Sequence, residues 1–163
     1  MDLVIRNASL ADGRRGIDIG VTGERITAVE AGLSIQGARE IDAGGDLVTP
    51  PFVDAHFHMD ATLSYGLPRV NASGTLLEGI NLWSELREIA TVDEMVGRAL
   101  TYCDWAVSMG LLAIRTHVDT TPDHLRGVEA MLEVKRRVAP YLDLQLVAFP
   151  QDGFYRSKSA KQN

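Results

Sequence analysis

Two histidines set two residues apart, in Asp54-Ala55-His56-Phe57-His58, are the residues of this chain best suited to chemistry. Side chains alternate between faces along an extended strand, so His56 and His58 project to one side. With Cα atoms roughly 6–7 Å apart, two neutral imidazoles can take two coordination positions on one divalent ion. Asp54 and Asp60 share that parity, and either could orient a ring through its N–H. The alternative is a pair of surface or core histidines placed by chance. Against it, the motif ends an apolar strand that follows Pro50-Pro51 and opens into a long polar loop. His117, in Arg115-Thr116-His117-Val118-Asp119, ends a second strand; pocket lining or a satisfied core position is the expectation, and a third ligand the alternative. Gln151 lies just past a third strand, where a primary amide can read a substrate amide as both donor and acceptor. His124 reads as solvated surface in the first turn of a helix. Cys103 falls in the buried stripe of its helix and reads as packing, not as a nucleophile. Trp83 and Trp105 also read as packing residues.

The elements that must position these residues change character near Pro50-Pro51. Before it, short apolar segments are split by turn residues: 3–5, then 17–21 and 26–29 around Gly23-Glu24, then 47–49. The middle pair reads as a hairpin, and residues 1–50 as a small β unit. After the prolines, strand and helix alternate. A strand over 52–58 leads into a polar, Gly-containing connection over 59–76, of a length that is usually functional or disordered. A helix over 77–89 follows. Thr91-Val92-Asp93-Glu94 has the form of a capping box, and Val92, Met95, Val96, Ala99, Leu100, Cys103, Ala106 and Val107 keep a helical period. Gly110 should end that helix. A strand runs from 111 to 117, and Thr121-Pro122 should open another helix with proline in its first turn. Leu125, Val128, Met131, Leu132 and Val138 form its apolar face, and a strand over 142–149 closes the series. Strands joined by crossover helices imply a parallel sheet. His56, His58, His117 and Gln151 all fall at or beyond C-terminal strand ends, where α/β folds gather their sites.

Composition narrows the function classes. The 163 residues are 45% hydrophobic and 23% charged, with net charge −6. No concentrated basic patch is present, which argues against nucleic acid as partner. No run approaches the roughly 18 apolar residues of a membrane span, and the first residues lack the basic and apolar regions of a secretory signal. One cysteine allows no internal disulfide and fits a reducing cytoplasm. A small-molecule or protein partner is the default.

Longer motifs carry a family resemblance. The opening hairpin unit and the stretch from Leu47 through His58 resemble the start of the metal-dependent amidohydrolase superfamily. Ser73-Gly74-Thr75-Leu76-Leu77-Glu78-Gly79-Ile80, Ile114-Arg115-Thr116-His117-Val118-Asp119, Met131-Leu132-Glu133-Val134-Lys135 and the run from Leu144 to Gln151 and Gly153 are similar to its cytosine deaminase branch. The resemblance implies an α/β fold: the N-terminal part, about three strands, of a TIM-type (β/α)8 barrel over 51–163. Residues 1–50 would be half of a composite β-sandwich built from both chain ends. It implies one divalent ion, iron or zinc, at the barrel mouth, lowering the pKa of a water so that hydroxide is available near neutral pH. His56 and His58 would match the first two metal ligands, Gln151 the substrate-reading glutamine, and Leu76 a backbone contact to the ring.

The implied reaction is hydrolytic deamination of a pyrimidine-like ring, cytosine to uracil and ammonia. Isocytosine or an amino-s-triazine is the alternative substrate, and a non-catalytic remnant or interaction fragment the alternative class. A complete barrel takes about 250 residues, and the strands that would bring the remaining ligands and the acid–base groups have no counterpart here. The chain is therefore expected to be an incomplete fragment with no catalytic residue of its own, inactive alone, and completed by a homo-oligomer or a complementing C-terminal chain. Its last seven residues read as an interrupted helix start.

Overall fold

The computed structural model describes residues 1–155, Ser159 and Gln162; the helix start expected at the end of the chain rests on residues outside these. The chain divides into two compact units, Met1–Pro50 and Pro51–Asn163.

The first unit is a five-stranded sheet. Its centre is β1 (Leu3–Leu10), antiparallel to β2 (Ile17–Thr22), which pairs antiparallel with β3 (Arg25–Ala31). The β2–β3 connection is the two-residue turn Gly23-Glu24, with Gly23 at φ 58° as such turns require. On its other side β1 runs parallel to β4 (Arg39–Asp42) and, further along, to β5 (Leu47–Val48). The strand β4 was not anticipated. Arg39, Glu40, Ile41 and Asp42 are all exposed, so the segment carries no apolar alternation. Val4, Ala8, Ile17, Ile19 and Leu33 form the buried side of this unit. Buried Asp18 ties it together, accepting from Asn7 N, Leu33 N and the Arg6 guanidinium, each at 3.0 Å.

The second unit is a three-stranded parallel sheet in the order β6-β7-β8, with β6 Phe52–Phe57, β7 Leu111–Asp119 and β8 Asp143–Phe149. Between β6 and β7 run a short 3-10 turn (Met59–Ala61), α1 (Leu76–Ile89) and α2 (Val92–Ser108); α3 (Arg126–Val138) joins β7 to β8. This is the opening of a (β/α)8 barrel. The core lies between sheet and helices, where Met95, Ala99 and Cys103 of α2 and Met131, Val134 and Val138 of α3 meet Ile114 and Leu144. No helix among the described residues is long and apolar enough to cross a membrane.

The helix ends follow local chemistry. Thr75 caps α1 by accepting from Glu78 N, and Thr91 with Glu94 forms the reciprocal capping box of α2. Gly110, at φ 80°, turns the chain out of α2. The start of α3 departs from expectation, at Arg126 instead of beside Thr121-Pro122. The Thr121 amide donates to Asp119 Oδ1 (2.8 Å) and its hydroxyl accepts from Asp152 N (3.1 Å). Those bonds hold the 121–125 segment to the strand ends and delay the helix.

Candidate functional site

The site lies at the C-terminal ends of the three parallel strands. The rings of His56 and His58 are 5.3 Å apart between centroids, on one side of the sheet. His117, at the end of β7, stacks on His56 at 3.9 Å and lies 5.8 Å from His58. Phe149, the last residue of β8, meets His58 edge-on at 5.0 Å and His117 at 5.8 Å. Three strand ends thus contribute one imidazole pair, one stacked imidazole and one aromatic wall. In the sequence Phe149, like Val147, reads as facing an unclosed barrel interior; its contact with the histidines was missed, and its place at a strand end was the available signal.

A register shift corrects the simple parity argument. Asp54 pairs with Ile114 and Phe57 with Thr116, so three steps on β6 match two on β7. Such a bulge breaks the alternation of faces. Asp54 therefore falls on the side of buried Ile114, not with His56, and its Oδ1 accepts from His56 N at 3.0 Å. Beyond the bulge, Phe57 turns toward the helices and stacks on Tyr102 at 4.4 Å, leaving His58 on the side of His56. Asp60 is buried in the 3-10 turn, where it accepts from Asp119 N (2.9 Å) and Ala61 N (3.1 Å). Its bonds go to backbone amides, so it braces the turn against β7. Burial, reinforced by the charge of Asp119, pushes its carboxyl up to about 6.

The electrostatics favour neutral imidazole at His58. Burial lowers its pKa first, and the neighbouring His56 and His117 lower it further, against a hydrogen bond to the His117 backbone. Neutral imidazole is the metal-binding form. His117 Nδ1 is buried with no hydrogen-bond partner among the described residues. This polar patch, with two adjacent imidazoles on a strand end, fits a divalent ion as a half-site. Among the described residues no group of three or more His, Cys, Asp or Glu side chains is arranged to hold a metal. The stacking of His117 on His56 sets those two rings face to face, the packing of a pocket wall.

Behind the histidines lies a charged network that was also missed. Asp119, at the end of β7, accepts from Trp83 Nε1 (2.9 Å) and Arg87 Nη1 (2.5 Å), while Arg87 Nη2 donates to Asp152 (2.7 Å). Burial alone would raise the Asp119 pKa; hydrogen bonds from Thr121, Trp83 and Arg87 outweigh it and hold the carboxyl below its ordinary value. The signal in sequence was the i, i+4 spacing of Trp83 and Arg87, which puts both on one face of α1. Trp83 is thus a hydrogen-bond donor as well as a packing residue. Trp105 is 57% exposed and is not core. His124, expected in a helix's first turn and solvated, precedes α3 half-buried, with Arg126 Nε on its Nδ1 at 3.2 Å and Glu88 at 3.3 Å. Cys103 is fully buried, and burial pushes its thiol up to about 11, the opposite of an activated nucleophile. Gln151 sits half-buried in the turn after β8, closed by Gly153 N on Pro150 O at 2.8 Å. Leu76 is the first residue of α1 and is exposed.

Residues 39–163 match the Amidohydrolase family, and the chain belongs to it. It is 37% identical to the N-isopropylammelide isopropyl amidohydrolase of Pseudomonas sp. (strain ADP), a match covering 94% of this chain and 40% of that protein. Its structure superposes on the 5-methylcytosine deaminase of Klebsiella pneumoniae liganded with 5-fluorocytosine at a TM-score of 0.88 and 38% identity, covering 98% of this chain and 39% of that one. An atrazine chlorohydrolase of Arthrobacter aurescens, complexed with zinc, shares the fold at 18% identity and a TM-score of 0.62, over 90% of this chain and 35% of its own. The chain spans about 40% of the length of the first two of these relatives.

Proposed function

We propose that this chain forms the metal-binding opening of a hydrolytic deaminase acting on a pyrimidine-like ring, with cytosine the substrate best supported. The observation that carries this is the adjacent His56–His58 pair at a barrel strand end, in a fold 38% identical to a 5-methylcytosine deaminase. His56 and His58 would hold the ion, iron or zinc. When bound, it would lower the pKa of water to supply hydroxide near neutral pH. Water adds at the ring carbon that bears the amino group, and ammonia leaves. Gln151 reads the ring's amide edge, the backbone at Leu76 meets the ring, and His117 and Phe149 wall the pocket. The acid–base groups and remaining ligands belong to further barrel strands, supplied by more of the polypeptide or by a second chain. The one free, buried thiol suits a reducing cytoplasm, which we propose as the compartment.

A second reading, an N-substituted amino-s-triazine as substrate, is favoured by the 37% identity to an N-isopropylammelide hydrolase. The deciding experiment grafts residues 1–163 in place of the matching segment of the Klebsiella pneumoniae deaminase. Metal content is measured together with ammonia release from cytosine and isocytosine and amine release from N-isopropylammelide. Metal-dependent turnover of cytosine supports the proposal, and preference for the triazine selects the second reading. A folded graft that holds no metal and turns over nothing would make the chain a non-catalytic remnant.

A further inference from the structure

We infer that Arg87 is a positioning residue, whose guanidinium, anchored on Asp119, grips Asp152 and so fixes the turn that presents Gln151 at the site. The inference rests on the proposed role of Gln151 but is carried by separate contacts. The Arg87 side chain is only 12% exposed and bridges two carboxylates from different elements, Asp119 at the end of β7 and Asp152 after β8. Trp83, one helical turn earlier, donates to the same Asp119 oxygen. Asp119 Oδ1 in turn holds the Thr121 amide, and the Thr121 hydroxyl accepts from Asp152 N. Asp152 is therefore held twice, by its main chain and by its carboxylate. Both holds trace back to Asp119.

Local geometry cannot do this alone. The Pro150–Gly153 hydrogen bond shapes the turn, with Gly153 at φ 92°, but says nothing of where the turn points. Arg87 supplies that, because its planar fork can serve two carboxylates at once. A lysine at the same position is a point charge on a flexible stem and can satisfy one. The arrangement also explains why a cation is buried on the face of α1: it stands between two anions, one of them nearly inaccessible.

Two experiments test the inference. In the 163-residue chain, amide exchange is followed at the two hydrogen-bonded amides of the turn, Asp152 and Gly153, for the parent and for Arg87→Gln, Arg87→Lys and Asp152→Ala. The expected result is exchange at those two amides at least tenfold faster in every variant, with Ile114 and Val134 unchanged. Arg87→Lys should recover the parent melting temperature without recovering protection of the turn, which a purely structural arginine would not do. Asp152→Ala, at a side chain 35% exposed, keeps the test open if Arg87→Gln does not fold. Parent-like exchange at Asp152 and Gly153 in Asp152→Ala and Arg87→Lys would overturn the inference.

In the grafted enzyme, Arg87→Lys should lower kcat/KM about tenfold or more with metal retained. That loss should vanish in a Gln151→Ala background, because residues acting through one another are not additive. Independent, multiplying losses would overturn the inference while leaving the deaminase reading standing. An inactive parent graft would sink that reading alone, with the exchange experiment still deciding for or against Arg87.

Discussion

At the scale of single residues, the site is a cluster whose members do different work. His56 and His58 offer lone pairs, and burial plus neighbouring imidazoles keep His58 neutral. In the grafted enzyme, His56→Ala or His58→Ala should abolish bound metal and turnover together, read by metal analysis beside an ammonia assay. Retained turnover with a full complement of metal would remove both from the ligand set. Gln151 should separate from them. Gln151→Ala leaves a buried polar partner on the substrate unsatisfied, a cost of about 1–3 kcal/mol, so kcat/KM should fall roughly ten- to a hundredfold with metal unchanged. Unaltered kinetics would return Gln151 to the status of a solvated loop residue. Cys103, buried and with its thiol pushed up, should react with a thiol reagent only on unfolding.

At the scale of elements, the helix starts are fixed by local capping bonds. The start of α1, which carries Leu76, is organised by Glu78. Hydrogen bonds from the Ser73 hydroxyl and amide outweigh desolvation and, joined by those from the Ala72 amide and Arg69, lower its carboxyl from 4.5 to about 2. A depressed carboxyl contributes stability that is complete above its unfolded pKa and lost as pH falls through the folded one. The cap over residues 72–78 should therefore be intact above about pH 4.5 and loosen toward pH 2. An amide titration of Ser73 checks this; a midpoint near the ordinary glutamate value would show that the bonds do not form in solution. At α2, Thr91→Ala removes the hydroxyl half of the capping box and should cost about 0.5–2 kcal/mol, seen as a lower denaturation midpoint. Gly110 tolerates no such trimming in reverse, since its φ of 80° strains any residue with a Cβ.

At the scale of the whole molecule, the described residues supply two ligand-type histidines and an open sheet. A catalytic zinc-type centre uses at least three protein ligands. Positioned acid–base groups contribute typically 10²–10⁴-fold more. The 163-residue chain alone, given Fe²⁺ or Zn²⁺, should thus release no measurable ammonia from cytosine or isocytosine. Metal-dependent turnover by a purified monomer would mean that His117 or another discounted group completes the site. The outer strands of the parallel sheet are β6 and β8, and exposed Phe52 and Val53 lie on one of them. Unpaired strand edges recruit other chains, so light scattering should find self-association that falls when complementing barrel strands are present.

Much of this protein was legible in its residues because the signals are local. The capping box at Thr91, the stripe from Val92 to Val107, the turn at Gly23-Glu24 and the HxH at a strand end each depend on spacings of a few residues, and the structure carries all four. Period and capping chemistry act within one element, so sequence alone decides them. What it could not decide were the relations between elements. The bulge that moves Asp54 away from the histidines is a register between β6 and β7. The late start of α3 depends on bonds from Thr121 to Asp119 and Asp152. Phe149 meets His58 and His117 only because three strands end side by side. Arg87 finds Asp119 and Asp152 at separations of 32 and 65 residues. Contacts at such separations are chosen by the packing of the whole sheet against its helices, and only the tertiary structure fixes them.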